Sequence, residues 1–194
     1  MSDTLVRAFP KHLASVAARV AAGLPPARLE PVGSVATSQA GQWPQLRVMG
    51  EPVVIPIRIY HPEPPEEFLA GLNDAERTVL ACLYTRQHNG FVRQRWLAHV
   101  FSSDEAWVVP FVVQLLGEYV IEICRDVETF VLDVLPGRPV LRRNIATFLA
   151  DNPSFLELTE CRAVSYWACY YRYRLPLRGT YPALTALDAL RGPS

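Results

Sequence analysis

The chain has 194 residues, of which 19 are basic and 19 acidic, so its formal net charge is zero. Half of it is hydrophobic and a fifth charged, the balance of a globular protein long enough to bury one sizeable core. Neutrality argues against a broad nucleic-acid footprint, which needs a basic field to displace counterions, and against an acidic disordered tail.

Lys11 is the only lysine; the other 18 basic residues are arginines, scattered along the chain. They read as the coding bias of a GC-rich bacterial genome rather than as guanidinium clusters built for anions. No run approaches the roughly 20 apolar residues of a membrane span. The longest candidate, 106–120, is interrupted by Pro110, Gln114 and Glu118. The N-terminus lacks the charged start and unbroken apolar stretch of a secretory signal. A cytoplasmic location without a membrane partner is expected.

Residues 3–23 carry Leu5, Phe9, Leu13, Val16 and Val20 at helical spacing, and Gly23 with Pro25 and Pro26 stops the pattern. A connector rich in Pro, Gly and Ser follows over 24–45. Leu46–Val48 and the run VVIPIRIY over 53–60 have β character, with Met49, Gly50, Glu51 and Pro52 as the turn. Pro56 cannot donate to a ladder, which restricts the second run to an edge or hairpin strand.

The remainder, 46–194, reads as one mainly helical domain with this small β element. Asn73 and Glu76 form a capping-box signature for a helix from Asp74 to about His88. A second helix over 91–101 is expected to bury Phe91, Val92, Trp96, Leu97 and Val100. A third begins near Asp104 and runs to Val120 or beyond, although 119–123 and 129–134 also have β propensity. Shorter helices over 142–150 and 182–190 flank a long one over 154–174. The fold class is therefore mainly α, either bundle-like or as stacked helix pairs in a short solenoid.

The segment LNDAERTVLACLYTRQHNGFVRQRWLAHV, residues 72–100, resembles the first two helices of a winged helix-turn-helix. That resemblance implies a nucleic-acid-binding regulator using Arg93 and Arg95. The next helix is where such a domain needs Arg, Lys, Asn or Gln aimed at bases. Here 106–123 holds no Lys or Arg and offers Gln114, Glu118 and Glu122, so nucleic acid is disfavoured as a partner.

Gln114, Glu118 and Glu122 fall at i, i+4 and i+8, one stripe if the helix is continuous. Such a stripe is a solvated face or a surface that accepts arginines from a partner. Two carboxylates one turn apart also suit a metal, but di-metal bundles need Glu-x-x-His motifs, and the chain has none. Among the four histidines, His88 and His99 flank the Asn89–Gly90 turn, and His61, in a Pro-rich loop, is expected to be the most exposed. Cys82, Cys124, Cys161 and Cys169 lie in apolar runs, form no C-x-x-C pair, and read as buried reduced thiols. No nucleophile elbow, phosphate loop or dinucleotide fingerprint occurs, so no cofactor is expected. An enzyme would have to assemble its site from distant residues such as Glu118, Glu122, His88, His99 and Tyr170.

The richest signal is RAVSYWACYYRYR, residues 162–174. On a helix Arg162, Tyr166, Tyr170 and Tyr173 or Arg174 share one side, with Trp167 and Tyr171 on the next stripe. Tyr, Trp and Arg are the side chains that dominate interface energetics. Core packing accounts for the same residues if the tyrosines only bring their hydroxyls to the surface. The expected function is that of a non-catalytic helical interaction protein with a protein partner, and a homodimer through the N-terminal helix is a secondary expectation.

Overall fold

The computed structural model describes residues 2–27 and 46–192. Among them the protein is mainly α, with ten α-helices and one two-stranded antiparallel sheet. The chain gathers into two compact units, Met1–Ser103 and Asp104–Ser194. That boundary falls within the stretch 46–194 read as a single domain. Most of the expected connector, 28–45, lies outside the described residues.

In the N-terminal unit the helix expected over 3–23 is divided into α1, Ser2–Val6, and α2, Ala14–Ala22. Pro10 is the cause, since it lacks an N–H and its ring disfavours helical backbone at Phe9. The restart is held from outside, because the Glu51 carboxylate accepts a hydrogen bond from the Lys11 amide at 2.8 Å. Ala17, Val20 and Ala21 of α2 are buried. At its end the Phe68 ring occupies the space a Cβ on Gly23 would need, 2.0 Å from Cε2.

Strands β1, Leu46–Val48, and β2, Glu51–Val53, pair antiparallel with Leu46 opposite Val53. The turn is tighter than the four residues expected. Met49 and Gly50 both have positive φ, 53° and 79°, the geometry that matches strand twist in a two-residue hairpin. Beyond Val53 the expected strand over 53–60 does not continue. Residues 54–57 have no ladder, and Ile59 makes an isolated parallel bridge to Gln87.

A short helix α3, Glu66–Ala70, which the sequence reading leaves unassigned, precedes α4, Asp74–Tyr84, and α5, Gly90–Phe101. The capping box at Asn73 forms in both directions: Asn73 Oδ1 accepts from the Glu76 amide at 3.0 Å, and the Glu76 carboxylate accepts from the Asn73 amide at 2.8 Å. Glu76 also pairs with Arg19, which ties α2 to α4. Asn89 caps α5. The buried stripe of α5 is Val92, Arg93, Trp96, Leu97 and Val100. Phe91, expected inside, is 82% exposed, because it sits about 100° around the helix from its neighbour on that stripe.

In the C-terminal unit the long helix expected from Asp104 is broken. A 3-10 turn, Ala106–Val108, leads into α6, Val109–Val113, then a second 3-10 segment, Gln114–Gly117. Glu118 is extended, at φ −120° and ψ 165°, and α7 starts afresh at Ile121 and runs to Thr129. A wider π turn, Phe130–Val134, continues α7, so 119–134 contains no strand. Helices α8, Pro139–Asp151, α9, Pro153–Tyr166, and α10, Pro182–Arg191, each begin with proline, whose fixed φ suits the first turn. Helix α10 packs along α7, and α9 lies against the 114–117 segment. No described helix is long and apolar enough to cross a membrane.

Candidate functional site

The narrow buried stripe of α9, Phe155, Thr159 and Ala163, leaves most of that helix outward. Cys161 and Cys169 are therefore exposed, which corrects their expected burial, whereas Cys82 and Cys124 are buried. Burial pushes the Cys124 thiol up to about 12 and the Cys82 thiol well above its ordinary value. Both are neutral thiols at physiological pH, without the thiolate that nucleophilic chemistry needs.

Where α9 ends, the backbone widens into a π turn over Trp167–Tyr171, a distortion found often at functional sites. The turn sets tyrosine rings side by side. Tyr166 stacks on Tyr170 with centroids 6.2 Å apart, and Tyr170 meets Tyr171 edge-on at 6.4 Å. Tyr119 joins from the 118–120 link at 6.1 Å from Tyr166, and Tyr181 stacks on Tyr171 at 5.4 Å. The row runs from fully buried Tyr181 to surface rings, with Tyr119 52% and Tyr170 65% exposed.

Two hydrogen bonds hold this surface in place. The Tyr171 hydroxyl donates to the Tyr119 carbonyl at 2.5 Å, and the Trp167 indole Nε1 donates to the Leu175 carbonyl at 2.8 Å. Burial raises the Tyr171 phenol above its ordinary value, so it stays a neutral donor. Beyond the row, Tyr173 is 84% exposed, with the Arg172 guanidinium 5.3 Å from its ring centroid.

Of the residues expected on this surface, Tyr166 closes α9, Tyr170 lies in the π turn, and Tyr173 and Arg174 lie in the turn after it, so they do not share one α-helical stripe. Tyr170, Tyr173 and Arg174 are exposed and Tyr166 is half-buried. Trp167 is half-buried. Arg162 turns inward, its Nε donating to the Gly117 carbonyl at 3.1 Å. Tyr119 and Tyr181 were not singled out by sequence. They come from other elements, and only the fold brings them to α9.

The Gln114, Glu118, Glu122 stripe does not exist as one helix face. Gly117 ends the 3-10 segment and Glu118 is extended, so the three residues stand on separate elements. Gln114 and Glu118 are buried and Glu122 is exposed. His61, expected exposed, is buried, with Nδ1 2.7 Å from the Pro25 carbonyl. His88 stacks on Tyr60 at 5.2 Å and His99 tilts against Trp96 at 5.4 Å, both in the N-terminal unit. Glu118, Glu122 and Tyr170 belong to the C-terminal one. Among the described residues no group of three or more His, Cys, Asp or Glu is placed to hold a metal ion.

The helix-turn-helix arginines are both occupied. Arg93 is 1% exposed and donates to the carbonyls of Gln87 and His88 at 2.9 and 3.1 Å. Arg95 pairs with Glu63, which also accepts from Trp96 Nε1 at 2.9 Å. Burial acts to raise the Glu63 carboxyl, and the bonds from Arg95 and Trp96 outweigh it and hold the group below its ordinary value. Comparison with protein-family models, curated proteins and solved structures returns no match.

Proposed function

We propose that the protein is a non-catalytic, cytoplasmic interaction protein, an adaptor, immunity-type or regulatory factor, that engages a protein partner through the tyrosine–arginine surface at the end of α9. The observation that carries this reading is the tyrosine row together with Tyr173 just beyond it, which leave Tyr170 and Tyr173 mostly in water beside a backbone tied down by the Trp167 and Tyr171 hydrogen bonds. Rigid tyrosines offer large amphipathic area at small entropic cost, the property that makes them interface anchors. A tyrosine serving the core alone would keep its ring inside and present only the hydroxyl.

The test is a paired affinity capture from the native host with the intact chain and with the double variant Tyr170→Ser/Tyr173→Ser. At least one protein is expected to be retained by the first and lost with the second. Identical capture by both would remove this surface from the function. Self-association is a secondary proposal, and α2 has already turned its apolar face into its own unit, so a dimer would use another surface. Light scattering that shows a concentration-independent monomer mass would dismiss it.

A further inference from the structure

We infer that the occupant of this surface is an acidic polypeptide segment, with carboxylates set beside apolar or aromatic side chains; the inference rests on the protein-contact reading above. The chain from Cys161 to Leu187 contains no acidic residue and holds Arg162, Arg172, Arg174 and Arg178. Arg162 is turned onto Gly117, and Arg178 is paired with Glu160 at 2.8 Å. Arg172 and Arg174 stand exposed on either side of Tyr173. The Arg172 guanidinium lies 5.3 Å from the outermost ring and Arg174 follows that ring in sequence; guanidinium groups bind carboxylates with forked hydrogen bonds.

Ring geometry separates this occupant from single-stranded nucleic acid. A base needs an open aromatic face to stack on. Here Tyr166 and Tyr170 cover one another at an interplanar angle of 28°, and Tyr171 and Tyr181 do so at 24°. Arg172 lies over Tyr173. A neighbouring ring or Arg172 thus already occupies one face of each of these rings, an arrangement that suits side chains packed alongside and hydroxyl donors to carboxylates.

A second copy of the chain is a poorer fit through its own acidic stretch, 104–122. Asp104 is held by Arg138 at 2.8 Å and Glu118 is buried, which leaves Glu105 and Glu122 as its other exposed carboxylates, 17 positions apart and on separate elements.

The experiment is selection of a random linear-peptide display library on the full chain, followed by binding of the selected peptides to surface variants. Selected peptides are expected to be enriched in Asp and Glu alongside apolar residues. Their affinity is expected to fall about tenfold or more with Arg172→Glu/Arg174→Glu, and to be largely kept with Arg172→Lys/Arg174→Lys. Raised salt should weaken binding in parallel, as screening requires.

Peptides that need Tyr170 and Tyr173 but show no excess of carboxylates would overturn the acidic occupant and leave the protein-contact reading standing. Failure to select any peptide, or binding indifferent to every variant, would overturn both. Oligothymidylate binding that is lost with Tyr170→Ser/Tyr173→Ser would assign the surface to nucleic acid instead. A dimer in sedimentation that Arg172→Glu/Arg174→Glu dissociates would assign it to a second copy.

Discussion

Arg86 shows how one side chain compensates for a backbone that cannot form a sheet. Pro56 and Pro62 deprive the 54–62 segment of donors, and its carbonyls turn inward without a partner strand. The fully buried Arg86 supplies the missing hydrogens, donating from Nη2 to Ile57 at 2.9 Å and from Nε to Pro56 at 3.2 Å. Its own backbone carbonyl accepts from the Ile59 amide at 2.9 Å. Tyr84 extends the clamp, its hydroxyl donating to the Pro62 carbonyl at 2.5 Å. Removing the guanidinium strands the Pro56 carbonyl, while Ile57 keeps the bond from Arg58 Nη1 at 2.6 Å, so Arg86→Ala should cost roughly 1–3 kcal/mol in urea unfolding. Arg86→Lys should recover only part of that loss, since an ammonium cannot reproduce the planar fork. An Arg86→Met variant as stable as the parent would show that these bonds contribute nothing net. Sequence marked Pro56 as confining 53–60 to an edge or hairpin strand, but the residue that answers its missing donor lies 30 positions away. Only the fold pairs them.

At the scale of elements, helices α9 and α10 are joined by Glu160, which takes Arg191 and Arg178 on its two oxygens. The hydrogen bond from Arg191 is the main reason its carboxyl lies below the ordinary 4.5, with partial burial opposing and Arg178 assisting. A carboxylate with a lowered folded pKa contributes its stability above the ordinary value and loses it as pH falls through the lowered one. Glu160→Gln should therefore destabilise by about 0.5–1 kcal/mol near neutral pH, a modest figure because the group is partly solvated. As pH falls below the ordinary carboxylate range and through the lowered value, the variant and the parent should converge on thermal unfolding; a gap unchanged by acid would assign the loss to packing. The capping box at Asn73 makes a second prediction at this scale, in that Asn73→Ala should cost about 1 kcal/mol.

That box was legible in sequence because it involves residues three apart and needs no partner from elsewhere. The same locality explains why the stop at Gly23 and the start near Pro182 were found. The break at Gly117–Val120 was not. Its flanks, Leu115, Leu116 and Ile121, are apolar on both sides, so the sequence reads as one run, while burial of Gln114 and Glu118 is decided by what α9 and α10 pack against. Phe91 and His61 were misplaced for the same reason: a residue's type was legible, its neighbours were not.

For the whole molecule, a net charge of zero has a consequence that local patches modulate. With no global field to keep copies apart or draw in a polyanion, association depends on which surfaces carry unbalanced charge. The stretch 161–187 is such a surface on the basic side, and 104–122, which holds four acidic residues and no basic one, is its opposite in sequence. Colloidal stability is lowest where net charge vanishes, so the intact chain should be least soluble at about pH 7. Arg172→Glu/Arg174→Glu takes the net charge from zero to −4, which should raise solubility at neutral pH and move the minimum to lower pH. Arg172→Lys/Arg174→Lys, neutral in the same sense, should leave it in place. Solubility in ammonium sulfate across that pH range measures both shifts. A minimum that moves equally with both variants would mean that guanidinium contacts, rather than the summed charge, govern how copies of the chain meet, and the same two variants in the peptide selection would then have to be read as changes in contact chemistry and not in field.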